Sequence, residues 1–324
     1  MNENNNLLSE TLKLMQITGS LLLNENYSAP WAVSIPDRLE LINDMGGNKD
    51  IHIVAFHLVR RGYIEIKLEN GYKEIVHKGE MVICFSGVAH TLFQGSSQIV
   101  CPFKKIMQEG QNIFEPTKEG YAQSTSLLCG IFMLRNTILN PLFEALPPLL
   151  KINTGQGDYN SYSTTANIIK LLLKEIDQRS FAHSYIMERY LELLCAHSIQ
   201  LHIEKPPVNE TGWLYAIKDP MTAQVITAIH ARPDYAWSVK ELSKLVSLSP
   251  SRFAARFADI MQTSPMLYVA RWRMYLASKL LKETKLSIEQ VSSRIGYENV
   301  AAFSRAFKRN LDTSPGVWRR NNCF

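Results

Sequence analysis

The chain has 324 residues, long for one domain and suited to two. Its 46% hydrophobic and 20% charged residues are an ordinary globular composition, and no apolar run approaches the ~20 residues of a membrane helix. The start, Met1-Asn2-Glu3-Asn4-Asn5-Asn6, lacks the basic-then-apolar order of a signal peptide, so a cytoplasmic protein with no membrane partner is expected; the formal net charge is +5.

Leu7, Leu8, Leu12 and Met15 fit one face of a leading helix ending near Gly19. From Ala29 to Leu134 the period becomes two. Ile51 to Val59 reads as a strand buried on both faces, Tyr63 to Leu68 alternates, and Asn70-Gly71 joins it to Tyr72–Val76 as a hairpin. Glu80–Phe85 and Ser126–Leu134 are further strands, and with glycines between them they indicate an antiparallel sandwich or small barrel. After Pro148 helical spacing returns. Asp158–Arg179 and Tyr185–Ile203 are predicted helices, the second with Ile186, Tyr190, Leu193, Leu194 and Ile199 as its apolar face. Residues 205–211, holding Pro206 and Pro207, read as a linker, and Met221–Ala231 as one more helix.

The last third contains one helical unit written twice. Ser238-Val239-Lys240-Glu241-Leu242 recurs as Ser287-Ile288-Glu289-Gln290-Val291. Phe253, Phe257 and Thr263-Ser264-Pro265 recur 50 residues on as Phe303, Phe307 and Thr313-Ser314-Pro315. Ser238 and Ser287 each stand three residues before Glu241 or Gln290, the spacing of a capping box. Leu242, Leu245 and Val246, and Ile288, Val291 and Ile295, mark the buried faces of the first helices. A short break follows in each copy, containing Gly296 in the second. The second helices bury their phenylalanine pairs at i,i+4 and leave the opposite face free. This is helix-turn-helix punctuation, with modules at about 238–262 and 287–311.

Residues 238–324 hold fifteen Lys and Arg against six Asp and Glu, while residues 1–237 hold 20 against 24. A basic excess confined to a paired helix-turn-helix is the electrostatic footprint of double-stranded DNA binding. The helix from Pro265 to about Lys282 spans roughly 27 Å and would set two recognition helices about one DNA turn apart. Arg271 and Arg273 are candidates for phosphates, Trp272 and Met274 for the core.

Arg271-Trp272-Arg273-Met274, Ile295-Gly296-Tyr297-Glu298 and Ala302-Phe303-Ser304-Arg305-Ala306-Phe307-Lys308-Arg309 resemble the AraC/XylS bacterial transcription regulators. Ser28-Ala29-Pro30-Trp31, Asn140-Pro141-Leu142 and Gly212-Trp213-Leu214 look like the subgroup with a cupin-like sensory half. The resemblance implies an α+β chain. A cupin-like antiparallel β-barrel with flanking helices (1–204) would sense a small-molecule effector and pair two subunits. An all-α domain (212–324) would carry two helix-turn-helix modules joined by a long helix. It implies a homodimeric activator working with RNA polymerase, without cofactor.

By resemblance Arg305 reads a base or clamps a phosphate, and Ser304 bonds a phosphate; an arginine fork matches guanine O6 and N7. Asn299, Val300 and Ala301 open the same helix, and Lys308, Arg309, Arg319 and Arg320 are placed at the DNA backbone. The first module offers Ser251, Arg252 and Arg256. Ala254 and Ala255 stand where relatives offer a polar or basic reader, so weaker reading by that module is expected.

In the N-terminal half, His57 and His90 are effector candidates able to converge on one pocket. His52 and His57, five apart on one strand, point to opposite faces. The resemblance adds that metal-binding cupins carry two histidines one residue apart and then a glutamate, a pattern missing here, so no metal site is assigned. Cys101, near Lys104 and Lys105, and Cys129 support an alternative, a redox-sensing regulator. The five cysteines are scattered with no C-x-x-C spacing, which excludes a disulfide framework or zinc knuckle. No nucleophile-and-base motif, phosphate loop or carboxylate pair is present, so an enzyme is not expected. The rival from that class is a metal-dependent cupin enzyme fused to a DNA-binding tail.

Overall fold

The computed structural model describes residues 3–44, 51–96, 99–109, 124–154, 163–178, 181–204 and 211–322. They form two compact units: residues 16–135 with 146–205, and residues 1–15, 136–145 and 206–324.

Among the described residues of the first unit, ten strands follow one another: β1 (Thr18–Ser28), β2 (Trp31–Ile35), β3 (His52–Arg61), β4 (Tyr63–Leu68), β5 (Lys73–His77), β6 (Glu80–Cys84), β7 (His90–Gln94), β8 (Cys101–Pro102), β9 (Ser124–Leu134) and β10 (Leu150–Asn153). They make two five-stranded sheets, β1-β9-β3-β6-β10 and β5-β4-β7-β2-β8. All pairings are antiparallel apart from the short β2–β8 contact. Trp31, Val33, Ala55, Ile66, Leu92 and Ile131 meet in their common core. The Asn70-Gly71 turn joins β4 to β5: Gly71 has φ +86°, and Asn70 Oδ1 accepts from Tyr72 N–H. Short helices α2 (Arg38–Asp44) and α3 (Phe103–Glu109) lie in connections. Helices α5 (Thr164–Gln178) and α6 (His183–Glu204) pack on each other, and α6 packs on β1.

Two expectations shift here. The leading helix α1 (Glu3–Met15) stops before Gly19, which belongs to β1. A Cβ at Gly19 would lie 2.5 Å from Leu191 Cβ, so this glycine marks the close approach of α6 to the strand, not a helix end. On α6 the buried row is Met187, Leu191, Leu194, Cys195, Ser198, Ile199 and Ile203; of the expected face Leu194 and Ile199 belong to it, Ile186 and Tyr190 are half-buried and Leu193 is exposed. The Ser198 hydroxyl donates to the Leu194 carbonyl (2.6 Å), so a polar residue sits inside without an unmet donor. The expected start of α5 and the linker at 205–210 lie outside the described residues.

The second unit is helical. It contains α1, α4 (Pro141–Ala145), α7 (Trp213–Ala216), α8 (Pro220–Ala231), α9 (Val239–Leu245), α10 (Pro250–Met261), α11 (Pro265–Glu283), α12 (Ile288–Arg294), α13 (Val300–Leu311) and α14 (Pro315–Asn322). Residues 1–15 and 136–145, expected with the sensory half, pack here instead. Asn140 caps α4 through Leu142 and Phe143 N–H, and its amide donates to the Tyr275 hydroxyl. Glu144 takes both of its oxygens to Arg271 at 2.7 Å.

Helix α11 serves both modules. Its Tyr268 and Trp272 join Phe253 and Phe257 in one core, while Met274, Ala277 and Leu281 meet Val291, Ile295, Phe303 and Phe307 in the other. The first core holds a polar chain: Tyr268 accepts from Trp213 Nε1–H (3.1 Å) and donates to His230 Nε2 (2.8 Å), whose ring stacks on Trp272 at 3.5 Å. Burial pushes the His230 pKa down to about 3. Folded His230 is therefore neutral through mild acid, whereas the unfolded residue protonates near 6.5. The stability it supports is present above pH 6.5 and is lost as pH falls toward 3. From pH 7 to 5, chemical denaturation should register a loss on the order of 2 kcal/mol, largely abolished in His230→Gln.

Candidate nucleic-acid interface

Each module is set by its caps. Ser238 accepts from Glu241 N–H in α9, and Ser287 from Gln290 N–H in α12. The reciprocal half exists in the second copy, where Gln290 Oε1 accepts from Ser287 N–H at 2.8 Å. In the first copy Glu241 instead pairs with Lys244 at 2.8 Å, because a lysine one turn along is the stronger attraction for a carboxylate. The turns also correspond. Gly296 has φ +80°, and a Cβ on it would lie 2.5 Å from the Asp234 carbonyl oxygen; its counterpart Ser247 adopts φ +54°. Leu242, Val291 and Ile295 are buried, whereas Leu245, Val246 and Ile288 are half-buried.

The second helices then present their outer faces. In α10, Phe253 and Phe257 are fully buried and Ser251, Arg252, Ala255 and Arg256 are exposed. Arg256 is committed to Asp219 (2.9 Å), whose other oxygen caps α8. In α13, Phe303, Ala306 and Phe307 are buried; Val300, Ala301, Arg305, Lys308 and Arg309 are exposed, and Ser304 is half-buried. No side-chain hydrogen bond or ion pair ties Arg305 or Lys308 to any described residue. Asn299 is the N-cap of α13, its Oδ1 accepting from Ala301 and Ala302 N–H, so that oxygen is spent on the helix.

Three arginines expected at phosphates have structural partners. Arg271 is paired with Glu144. Arg273 donates to the carbonyls of Pro233, Tyr235 and Gly296, tying the α8–α9 connection and the second module's turn to α11. Arg319 donates to the carbonyls of Leu281 and Leu286. Trp272 and Met274 are buried.

Inside the barrel, His57 on β3 and His90 on β7 come together, their Nε2 atoms 2.9 Å apart. Cys129 lies directly opposite His57 in the β3–β9 register, and Cys101 is buried in the same core. The hollow beside His57, lined also by Ile35, Leu41, Ala55 and Cys129, measures about 10 Å³. That is at the lower edge of what one water needs, so this hollow beside His57 and Cys129 is too small for an organic effector. Burial also pushes the Cys129 thiol far up, the opposite of an exposed thiolate poised for oxidation. The roomier hollow of this unit, about 510 Å³, lies between β1 and α6 and was not foreseen from the sequence. His52 faces away from His57, donating to the Phe85 carbonyl and accepting from Arg38.

A two-sheet barrel followed by two capped helix-turn-helix modules with basic outer faces defines a DNA-binding regulator. Residues 6–204 match a family described as Cupin, and residues 242–321 match a helix-turn-helix domain. A putative AraC-like transcription regulator of Streptomyces antibioticus is 27% identical over 275 residues, 83% of this chain and 88% of that one. The HTH-type transcriptional regulator AlkR of Acinetobacter baylyi is 27% identical over 273 residues, 82% of this chain and 87% of its own. An uncharacterized HTH-type transcriptional regulator of Haemophilus influenzae is 22% identical over 316 residues, 97% and 98% of the two chains. The chain belongs to the AraC-like transcription regulators with an N-terminal cupin domain. No helix among the described residues is long and apolar enough to cross a membrane.

Two substitutions separate the roles of the outer faces. Asn299→Ala removes a cap and should cost about 1 kcal/mol in denaturant unfolding. Ala255→Arg, on an exposed face, should change stability by less than about 0.5 kcal/mol. A large loss in Ala255→Arg would contradict the orientation of α10.

Proposed function

We propose that this regulator acts in the cytoplasm as a transcription activator that catalyses no reaction. A homodimer binds double-stranded DNA through residues 212–324 and works with RNA polymerase, while residues 1–204 pair the subunits and receive a small-molecule effector. The observation that carries the DNA half of this reading is the outer face of α13. There Arg305 and Lys308 have free cationic heads, and Val300 and Ala301 offer small apolar groups suited to thymine methyls. Ser304, Arg309 and the cap residue Asn299 flank them.

The first module reads less sequence in this account. Ser251 and Arg252 are exposed, but Arg256 is already paired with Asp219 and Ala255 offers a methyl alone. Pairing of subunits is supported by Leu171, Tyr185 and Leu193, large apolar side chains left exposed on α5 and α6. The hollow between β1 and α6 is the place offered for an effector. Residues 136–145, continuous in chain with β9 and β10 yet bound to α11 through Glu144–Arg271, are the proposed relay.

Binding to a selected operator should weaken steeply with salt, as for any protein that neutralises several phosphates. Arg305→Ala should cost about 1–3 kcal/mol and relax preference in one half-site. Ala255→Arg should tighten binding in the other. Unchanged affinity and specificity in Arg305→Ala, or a first-module half-site already the more stringent, would contradict the proposal.

A further inference from the structure

The barrel centre holds three metal-binding atoms in one buried cluster. His57 on β3 and Cys84 on β6 come from one sheet, and His90 on β7 from the facing sheet. Cys84 pairs in register with Ala55, two residues from His57, so Cys84, Ala55 and His57 line the same inner face. The two imidazole Nε2 atoms are 2.9 Å apart, Cys84 Sγ is 3.8 Å from His90 Nε2, and all three donors lie within 4.8 Å of one another. A point equidistant from three atoms so spaced lies at most about 2.4 Å from each. Metal–imidazole and metal–thiolate bonds run about 2.0–2.3 Å. An ion fits after the histidine nitrogens part by roughly half an ångström.

Two further features point to a ligand. His90 Nδ1–H donates to the Val88 carbonyl at 3.0 Å, which fixes the ring and turns the Nε2 lone pair inward; this is the outer-shell support that metal-bound histidines characteristically have. With that lone pair accepting from His57 Nε2–H, His57 Nδ1 is left as a buried nitrogen with no hydrogen-bond partner among the described residues.

We infer that His57, Cys84 and His90 form a three-coordinate site for a soft monovalent cation, cuprous copper. The donor set is two imidazoles and a thiol, with no carboxylate, and thiolate ligands select copper(I) or zinc among common metals. Charge decides between them. One thiolate and two neutral imidazoles cancel a single positive charge, whereas a divalent ion would leave a net +1 in a buried apolar core. Space agrees, because the roughly 10 Å³ hollow beside His57 gives no ready place for the water that completes a four-coordinate zinc. Burial, and for His57 also its neighbour His90, holds both imidazoles well into the neutral form that ligation requires. Burial likewise pushes the Cys84 thiol up to about 12, so the apo cluster is uncharged. On binding, the Cys84 proton leaves to solvent and the His57 proton moves from Nε2 to Nδ1. One copper(I) enters, one proton departs, and the cluster's net charge is unchanged.

The site is a property of the barrel and does not depend on the regulatory reading, so it is tested without DNA. Reduced full-length chain, kept anaerobic, is titrated with copper(I) held by a chromophoric chelator, and separately with zinc under the same competition. One copper(I) per chain is expected, with release of one proton and a thiolate-to-copper absorption band. Cys84→Ser and His90→Gln should each weaken it at least 100-fold, while Cys101→Ser, outside the cluster, should leave it intact. Circular dichroism and thermal melting establish that each variant is folded. If Cys84→Ser does not fold, X-ray absorption of the copper-loaded wild-type chain reads the same question, predicting one sulfur and two nitrogens at bonding distance. Failure to take copper from the chelator, equal retention by folded Cys84→Ser, or a copper shell without sulfur would overturn the site. Stoichiometric zinc in preference to copper would overturn the monovalent assignment.

Discussion

The DNA-binding half depends on the burial of two phenylalanine pairs. Phe253 with Phe257, and Phe303 with Phe307, are each one helical turn apart and fully buried. Each pair fixes which face of its helix goes inward, and so which residues can go outward. Truncating one ring in such a core removes about 3–5 kcal/mol, far more than any single surface contact contributes. The faces offered to DNA are therefore consequences of core packing. Helix α11 extends this constraint to both modules, since its first half packs on one pair and its second half on the other. Arg273 adds a second tie by holding the carbonyls of Pro233, Tyr235 and Gly296. The modules are coupled through one continuous helix and a half-buried guanidinium.

The barrel presents a different balance. Its interior is packed by aliphatic and aromatic side chains, and one of its polar clusters is made of two histidines and a thiol. Polar groups buried there cost free energy unless something satisfies them. In the helical unit the comparable group, His230, is satisfied by Tyr268 and stacked on Trp272, and the chain Trp213–Tyr268–His230 closes on itself. His57 Nδ1 has no such closure. The two histidines differ in this: His230 Nε2 accepts from a neighbouring hydroxyl, and His57 Nδ1 has no hydrogen-bond partner among the described residues.

Much of the helical half was legible because its signals are local. Caps, turns and i,i+4 pairs are written within a dozen residues, and the repeat states them twice. The hairpin at Asn70-Gly71 was legible for the same reason. Strand β1 was not: Thr18–Ser28 lies at the sheet edge with mostly half-buried residues, so it shows no alternation. On α6 the expected face is only partly the buried one, because burial there is decided by what faces β1: Leu194 and Ile199 are buried and Leu193 is exposed. Charge was the least transferable signal. Arg256, Arg271, Arg273 and Arg319 look in sequence like phosphate ligands, yet each has a partner distant along the chain. Arg305 and Lys308 stand out because neither has a side-chain partner among the described residues. Cys84 needed the β3–β6 register and the facing sheet before it could be placed beside two histidines.

The central claim is that one chain sets two recognition helices on the same side of DNA, held by α11. Hydroxyl-radical footprinting of the full-length protein on a selected operator tests it most directly. The account predicts, for each bound chain, two protected segments on one face of the duplex, centred about one helical turn, roughly 10 base pairs, apart. A single protected segment per chain, or two segments on opposite faces, would contradict it.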